Sequence, residues 1–167
     1  MENITMEAQR PYAGFWLRFA ACIIDGILLS FVQFLVVLPV MGLLGFAGFK
    51  TMQDMDADNM SDDEMLGFAA AMIGSMLVVW LVFIVVQWLY YALMESSPRQ
   101  ATVGKLALGI AVTDMEGNRI TFMRATGRYF GKIISSAILC IGYLMAGFTE
   151  KKQALHDMMA GCLVVKK

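Results

Sequence analysis

Residues 15–49 read FWLRFAACIIDGILLSFVQFLVVLPVMGLLGFAGF, an apolar run with few polar interruptions. A bilayer core of about 30 Å is crossed by about 20 helical residues. Residues 15–38 therefore predict a first transmembrane helix. We expect it to end before Pro39, because proline disfavours helical backbone at the residue that precedes it.

A second apolar run occupies residues 66–94, where Ser75 and Gln87 are the clearly polar interruptions. Tryptophan and tyrosine collect near its end, as they do at membrane interfaces. It predicts a second spanning helix. The whole composition agrees, since 59% of residues are hydrophobic and 16% charged, against about 45–50% and about 25% in soluble domains.

Charge along the chain predicts the orientation of these helices. The loop at 50–64 is strongly acidic, whereas residues 95–129 are rich in lysine and arginine. By the positive-inside rule, the loop lies outside, and the segment 95–129 lies in the cytoplasm. The net charge of −1 gives no reason to expect nucleic-acid binding.

The third predicted helix, residues 130–148, contains an apolar run of only sixteen residues, 133–148, in which two residues are glycine. A full crossing would place the lysines of the tail, residues 149–167, outside the membrane, against the positive-inside rule. A strand-like stretch at 161–165 could also pair with one at 108–112 only if both lie on the same side. We therefore favour a re-entrant or interfacial third helix over a full span.

The segment after the second helix predicts a small β element. Residues 107–113 and 119–122 flank a glycine turn and read as a β-hairpin. Thr121 is placed to cap a following helix. That helix carries a basic stripe, which suits either anionic lipid headgroups or a solvated face, formed by Arg124, Arg128 and Lys132.

The predicted fold is thus an all-α membrane protein, with two long transmembrane helices, a shorter third helix and a small cytoplasmic β-hairpin. We expect residues 1–167 to form one membrane domain that is embedded in the lipid bilayer. A bundle of this size encloses no permeation path alone, so we expect a homo-oligomer or a membrane-protein partner.

Arg18 and Asp25 are the charges inside the first helix. They are seven residues apart and share a helix face. An acid near the bilayer centre is a functional candidate by default. Burial favours the protonated carboxyl group and a nearby arginine favours the carboxylate, so a balance of the two would let Asp25 exchange a proton for a metal cation. Alternatively, these charges form a buried clamp that fixes helix packing. Gln87 lies at a similar depth and is a candidate hydrogen-bond partner of Asp25 under either interpretation.

His156 and Asp157 are the remaining candidates. The single histidine either senses pH or anchors the tail, and Asp157 is a partner for Arg18, Arg124 or Arg128. No set of residues has metal-ligand spacing, and no catalytic signature is present. We expect no cofactor, no metal and no enzymatic activity.

Three blocks of the sequence resemble the RDD (Arg-Asp-Asp) family of membrane proteins. They are YAGFWLRFAACIIDG at 12–26, ATVGKLALGIAVTDMEGNRITFMRATGR at 101–128, and QALHDMMAGCLVV at 153–165. The resemblance identifies Arg18, Asp25 and Asp157 as the signature charges; Cys162 departs from a frequent threonine. It implies a multi-pass protein of the bacterial inner membrane, in a family where some members are linked to sodium–proton antiport.

Two function classes follow. In the first, the protein is a transporter coupling protons to Na⁺ or K⁺, with Asp25 as the exchanging carboxylate. In the second, it is a non-transporting membrane subunit that assembles with or regulates another membrane protein.

Overall fold

The computed structural model describes residues 11–54, 61–138 and 141–167. Residues 55–60 of the predicted acidic loop at 50–64 lie outside these ranges. The described chain divides into two compact units. The polar unit comprises the residues up to Gly26 together with Trp88–Lys167, and the apolar unit comprises Ile27–Gln87.

Two long helices dominate the described chain: α1 (Phe15–Asp54) and α2 (Asp62–Glu95). Both are long and apolar enough to cross a membrane, as the sequence predicted. The expected end of the first helix at Pro39 is wrong, because α1 continues through it. Proline removes only one backbone donor, and an apolar environment favours keeping all other backbone groups bonded within the helix.

None of the described residues in the apolar unit is buried. Its exposed surface consists mainly of apolar side chains, and such a surface is suited to contact with lipid tails. Within this unit α1 approaches α2 at Gly48, where an added Cβ would lie 3.6 Å from Met72 Sδ and 3.7 Å from Phe68 Cζ.

The polar unit contains the short elements, which are α3 (Val103–Ala107), β1 (Ile110–Asp114), α4 (Phe122–Ala137), α5 (Ile141–Phe148), α6 (Leu155–Ala160) and β2 (Cys162–Lys166). β1 and β2 form an antiparallel two-stranded sheet, in which Ile110 pairs with Lys166 and Asp114 with Cys162. The predicted pairing of the C-terminal strand is confirmed.

The predicted hairpin contributes less to this sheet than expected. Only a single bridge, Thr113 to Arg119, joins its two arms. Asp114 Oδ1 accepts hydrogen bonds from the backbone N–H groups of Glu116 and Asn118, which holds the turn. The chain then leaves the sheet for α4, whose N-terminus is capped by Thr121 as predicted.

The third apolar run is bent. Helices α4 and α5 meet at 104° and do not form one straight span. The chain on both sides of this pair is tied together by the sheet, because β1 precedes α4 and β2 follows α6. A small apolar core fills the polar unit. Its strand residues include Ile110, Val112, Cys162 and Val164.

Candidate functional site: a buried network of charges

Asp157, at the start of α6, is the centre of the first part of the site. Its side chain is fully buried and accepts hydrogen bonds from two arginines. Arg18 Nη1 donates to Oδ2, and Arg128 Nε donates to Oδ1 at 2.7 Å. Burial alone would raise the pKa of Asp157, but Arg128 and Arg18 outweigh it and hold that pKa well below its usual range.

Glu95, the last residue of α2, is the second buried acid. Arg128 Nη1 donates to its Oε2 at 2.7 Å, so this arginine bridges Glu95 and Asp157. Lys105 Nζ donates to Oε1 at 2.6 Å. Lys132 Nζ lies 3.8 Å from the same oxygen and 4.0 Å from the centroid of the Tyr91 ring.

These six residues form one continuous structure, which we call the charge network: Arg18, Asp157, Arg128, Glu95, Lys105 and Lys132. It contains more bases than acids. Burial, reinforced by Arg128 and opposed by Glu95, lowers the pKa of Lys105 to about 7. The network joins the beginning of α1, the end of α2, α3, α4 and α6.

Asp25 forms a separate site two turns along α1 from Arg18. It is only 1% exposed and accepts three hydrogen bonds. The donors are Tyr90 Oη at 2.8 Å, Thr102 Oγ1 at 2.6 Å and the Gly104 backbone N–H at 2.7 Å. Each donor is neutral.

Gly104 makes this close approach possible. A Cβ at this position would lie 2.2 Å from the carbonyl oxygen of Ala21 and 3.0 Å from the Asp25 carboxylate. Any side chain would therefore push α3 away from α1. The glycine lets a backbone N–H reach Asp25.

Arg18 and Asp25 have different partners, although they share a helix. Arg18 reaches Asp157, one of the three partnerships considered from sequence, and Arg128 supplies a second of them. Arg124 is exposed. Gln87, the predicted partner of Asp25, is also exposed, and Tyr90 is the α2 residue that donates to this carboxylate.

The prediction of a basic surface stripe is wrong for Arg128. This residue is 2% exposed, because its guanidinium is needed between two buried carboxylates. Lys132 is mostly covered as well, with a fifth of its side chain exposed.

His156 is buried beside Asp157. Its Nδ1 lies 3.3 Å from Ser135 Oγ, and its ring packs against Tyr143 with centroids 5.1 Å apart. Burial lowers its pKa to about 3, despite the neighbouring Asp157 carboxylate, so the ring is neutral near pH 7. A buried, neutral ring favours the interpretation of His156 as an anchor of the C-terminal tail over that of a pH sensor.

Four residues of the site were not singled out from the sequence: Glu95, Lys105, Tyr90 and Thr102. Glu95 directly follows the predicted second span, residues 66–94, and Lys105 is one of several bases in the segment 95–129. The available signal was an acid at the very end of an apolar run, followed by a segment of basic residues.

In the part of the chain that the structure describes, no group of three histidine, cysteine or acidic residues could hold a metal ion.

Comparisons with known proteins identify relatives of this chain. The chain is 36% identical over 155 residues to the uncharacterized protein YxaI of Bacillus subtilis (strain 168), covering 93% of this chain and 97% of that protein. It is 29% identical over 160 residues to the uncharacterized membrane protein YteJ of the same organism, covering 92% and 80%. No solved structure matches. The RDD family model matches residues 12–161, and the chain therefore belongs to the RDD family of membrane proteins.

Proposed function

We propose that this protein is a non-transporting membrane subunit that assembles with another membrane protein, and that its signature charges hold the polar unit together. The carrying observation is that Arg18, Asp25 and Asp157 are all engaged by partners within the chain. Asp157 binds two arginines, and Asp25 binds three donors from α2, α3 and the residue before α3.

The energetics of such contacts favour a structural role. Removing one partner of a buried ion pair costs about 3–5 kcal/mol, because the other charge is left without compensation. An acid that released its partners to bind a passing ion would incur a similar cost. The charge network is thus better suited to keeping five elements in fixed positions than to cycling between states.

Assembly is supported by the small number of long helices. Two helices suffice to anchor the polar unit in a membrane but do not surround a water-filled path. We place the polar unit at the cytoplasmic face of a bacterial inner membrane, because its lysines and arginines outnumber those of the apolar unit and follow the positive-inside rule.

Affinity purification from native membranes tests this proposal. The full chain, cross-linked in intact cells, is expected to retain a defined membrane protein. Asp157→Asn should lose it together with the packing of the polar unit, whereas Asp62→Asn, at the exposed start of α2, should keep it. Recovery of the chain alone from several growth conditions, with full stability, would remove the basis for the subunit proposal.

One observation favours proton-coupled cation transport as a second candidate. Asp25 is buried among neutral donors, so a proton, Na⁺ or K⁺ would be the charge that compensates it. This function requires a homo-oligomer to complete a path.

Proteoliposomes separate the two candidates. Transport predicts proton flux driven by a Na⁺ or K⁺ gradient, lost in Asp25→Asn and retained in part by Asp25→Glu, with both variants folded. The subunit proposal predicts no flux from the native chain at any pH tested. Cation-driven flux in the native chain would therefore reverse the order of the two candidates.

A further inference from the structure

An open groove of about 580 Å³ lies in the polar unit, and its lining includes neither Asp25 nor any residue of the charge network. The start of α1 forms one wall, and α5 forms the other. Its large apolar lining residues are Phe15, Trp16, Leu17, Leu144 and Phe148. Trp16 is 76% exposed and Phe148 is 90% exposed, so both rings are available to a ligand.

Two lysines, Lys152 and Lys166, complete the lining of this apolar groove. Lys166 ends β2, where its backbone N–H donates to the Pro11 carbonyl at 2.9 Å. Lys152 has a positive φ of 51°. Its turn is held by Thr149, whose carbonyl accepts from Lys152 N–H at 3.0 Å.

The side-chain ammonium groups of Lys152 and Lys166 form no ion pair or hydrogen bond with the described residues. Across residues 11–54, 61–138 and 141–167, neither has a carboxylate or hydrogen-bond acceptor as partner. They contrast with Lys105 and Lys132, which both face Glu95. Free cations beside a large apolar wall match a ligand with an anionic head and a hydrocarbon tail.

The position of the groove identifies the source of such a ligand. Its wall includes the first turn of α1, a helix apolar enough to cross the membrane. An exposed tryptophan at a helix end is typical of the membrane interface. The first turn of α1, and with it the groove, therefore fits the level of lipid headgroups.

We propose that this groove binds an anionic glycerophospholipid. Lys152 and Lys166 hold the headgroup phosphate, and an acyl chain lies along Trp16, Leu144 and Phe148. A phosphate ion alone would leave the apolar wall unused, and a zwitterionic lipid would bring its own cation to the lysines.

A binding titration tests this site. The purified full-length chain in a neutral detergent is titrated with fluorescently labelled phosphatidylglycerol, with unlabelled phosphatidylglycerol, phosphatidylcholine and soluble glycerol phosphate as competitors. Only unlabelled phosphatidylglycerol should displace the probe. Displacement by glycerol phosphate at equal concentration would mean a simple anion site and would overturn the lipid assignment.

Variants locate the site. A lysine near anionic lipid contributes about 1 kcal/mol, so the double variant Lys152→Gln/Lys166→Gln should raise the Kd about thirtyfold. The matched control is Lys151→Gln/Lys167→Gln, which removes the same charge from neighbouring positions that do not line the groove. It should leave the Kd almost unchanged.

Equal weakening by both double variants would show diffuse attraction to surface charge and overturn the proposal. Lys152→Arg/Lys166→Arg should restore binding, which excludes misfolding as the cause of any loss. Trp16→Ala should weaken binding of phosphatidylglycerol more than it weakens binding of a short-chain analogue, because only the longer acyl chain uses the apolar wall.

Discussion

The polar and apolar units are stabilised by different means. In the polar unit, α1 carries Arg18 and Asp25, each engaged by particular atoms of distant residues. In the apolar unit, the same helix presents exposed apolar side chains, and none of the described residues is buried. One helix thus passes from a region where its charged side chains have specific partners to a region where it presents exposed apolar side chains.

This difference has a physical basis. Lipid tails are as apolar as leucine, so side-chain contacts between spanning helices gain little from the hydrophobic effect. A buried charge, by contrast, tolerates only a partner of the correct sign and position. Substitutions in the polar unit should therefore have large and specific effects, and those in the apolar unit small and general ones.

The largest effect is expected at Glu95. Glu95→Gln leaves Lys105, Arg128 and Lys132 without their shared carboxylate. We expect a loss of about 3–5 kcal/mol and a fall of about 10 °C or more in the thermal unfolding midpoint in detergent. The control, Glu64→Gln at the exposed start of α2, should leave the midpoint nearly unchanged. Equal effects of the two would contradict the contrast between the units.

Gly104→Ala should have the next largest effect. The new Cβ would meet the Ala21 carbonyl oxygen at 2.2 Å and displace the N–H that binds Asp25. We expect a loss of about 3 kcal/mol in unfolding free energy. Gly127→Ala in α4 is the matched control, since nothing lies within 4 Å of its added Cβ. That control should be neutral or stabilising, because alanine favours helix.

Lowering the pH should destabilise the polar unit, because His156 is protonated more readily in the unfolded chain than in the folded one. Its folded pKa is about 3, below the ordinary value of about 6.5. The unfolded chain therefore binds a proton that the folded chain refuses, and stability falls as pH drops from about 6.5 towards 3. At pH 5 the loss is about 2 kcal/mol.

His156→Gln should remove this part of the pH dependence. The measurement is the unfolding midpoint of both proteins at several pH values from 7 to 4, well above the range in which Asp157 titrates. Parallel curves for the native chain and the variant would mean that His156 is accessible to protons in the folded state.

The smallest effect is expected in the apolar unit. Leu77 is 60% exposed, so Leu77→Ala should change stability by less than about 0.5 kcal/mol, since lipid replaces the lost side chain. Ile110→Ala, in the buried sheet, should cost about 2–5 kcal/mol. The comparison is made from unfolding midpoints in one detergent. A large loss at Leu77 would indicate that a protein partner covers this position.

The sequence predicted most of the fold because the length of a continuous apolar run decides a membrane helix. The resemblance to the RDD family singled out Arg18, Asp25 and Asp157, and in the structure each of them has hydrogen-bond partners. The sequence did not predict Glu95 and Lys105, because Glu95 meets Lys105 and Arg128 only after α3 and α4 fold back. No local pattern encodes that contact. Arg128 was misjudged for the same reason, since its spacing with Arg124 suggested a surface that the fold buries.

The sheet brings together the N-terminal and C-terminal parts of the chain, which are synthesised first and last. Pro11 and Tyr12 lie against β2, and β2 pairs with β1. Arg18 and Asp157, which form an ion pair, are separated by 139 positions. During synthesis, Arg18 therefore enters the membrane surface long before its carboxylate exists. We expect closure of the polar unit to be the last step of biogenesis, so that an interrupted chain keeps exposed, unneutralised arginines by which proteolysis can recognise it.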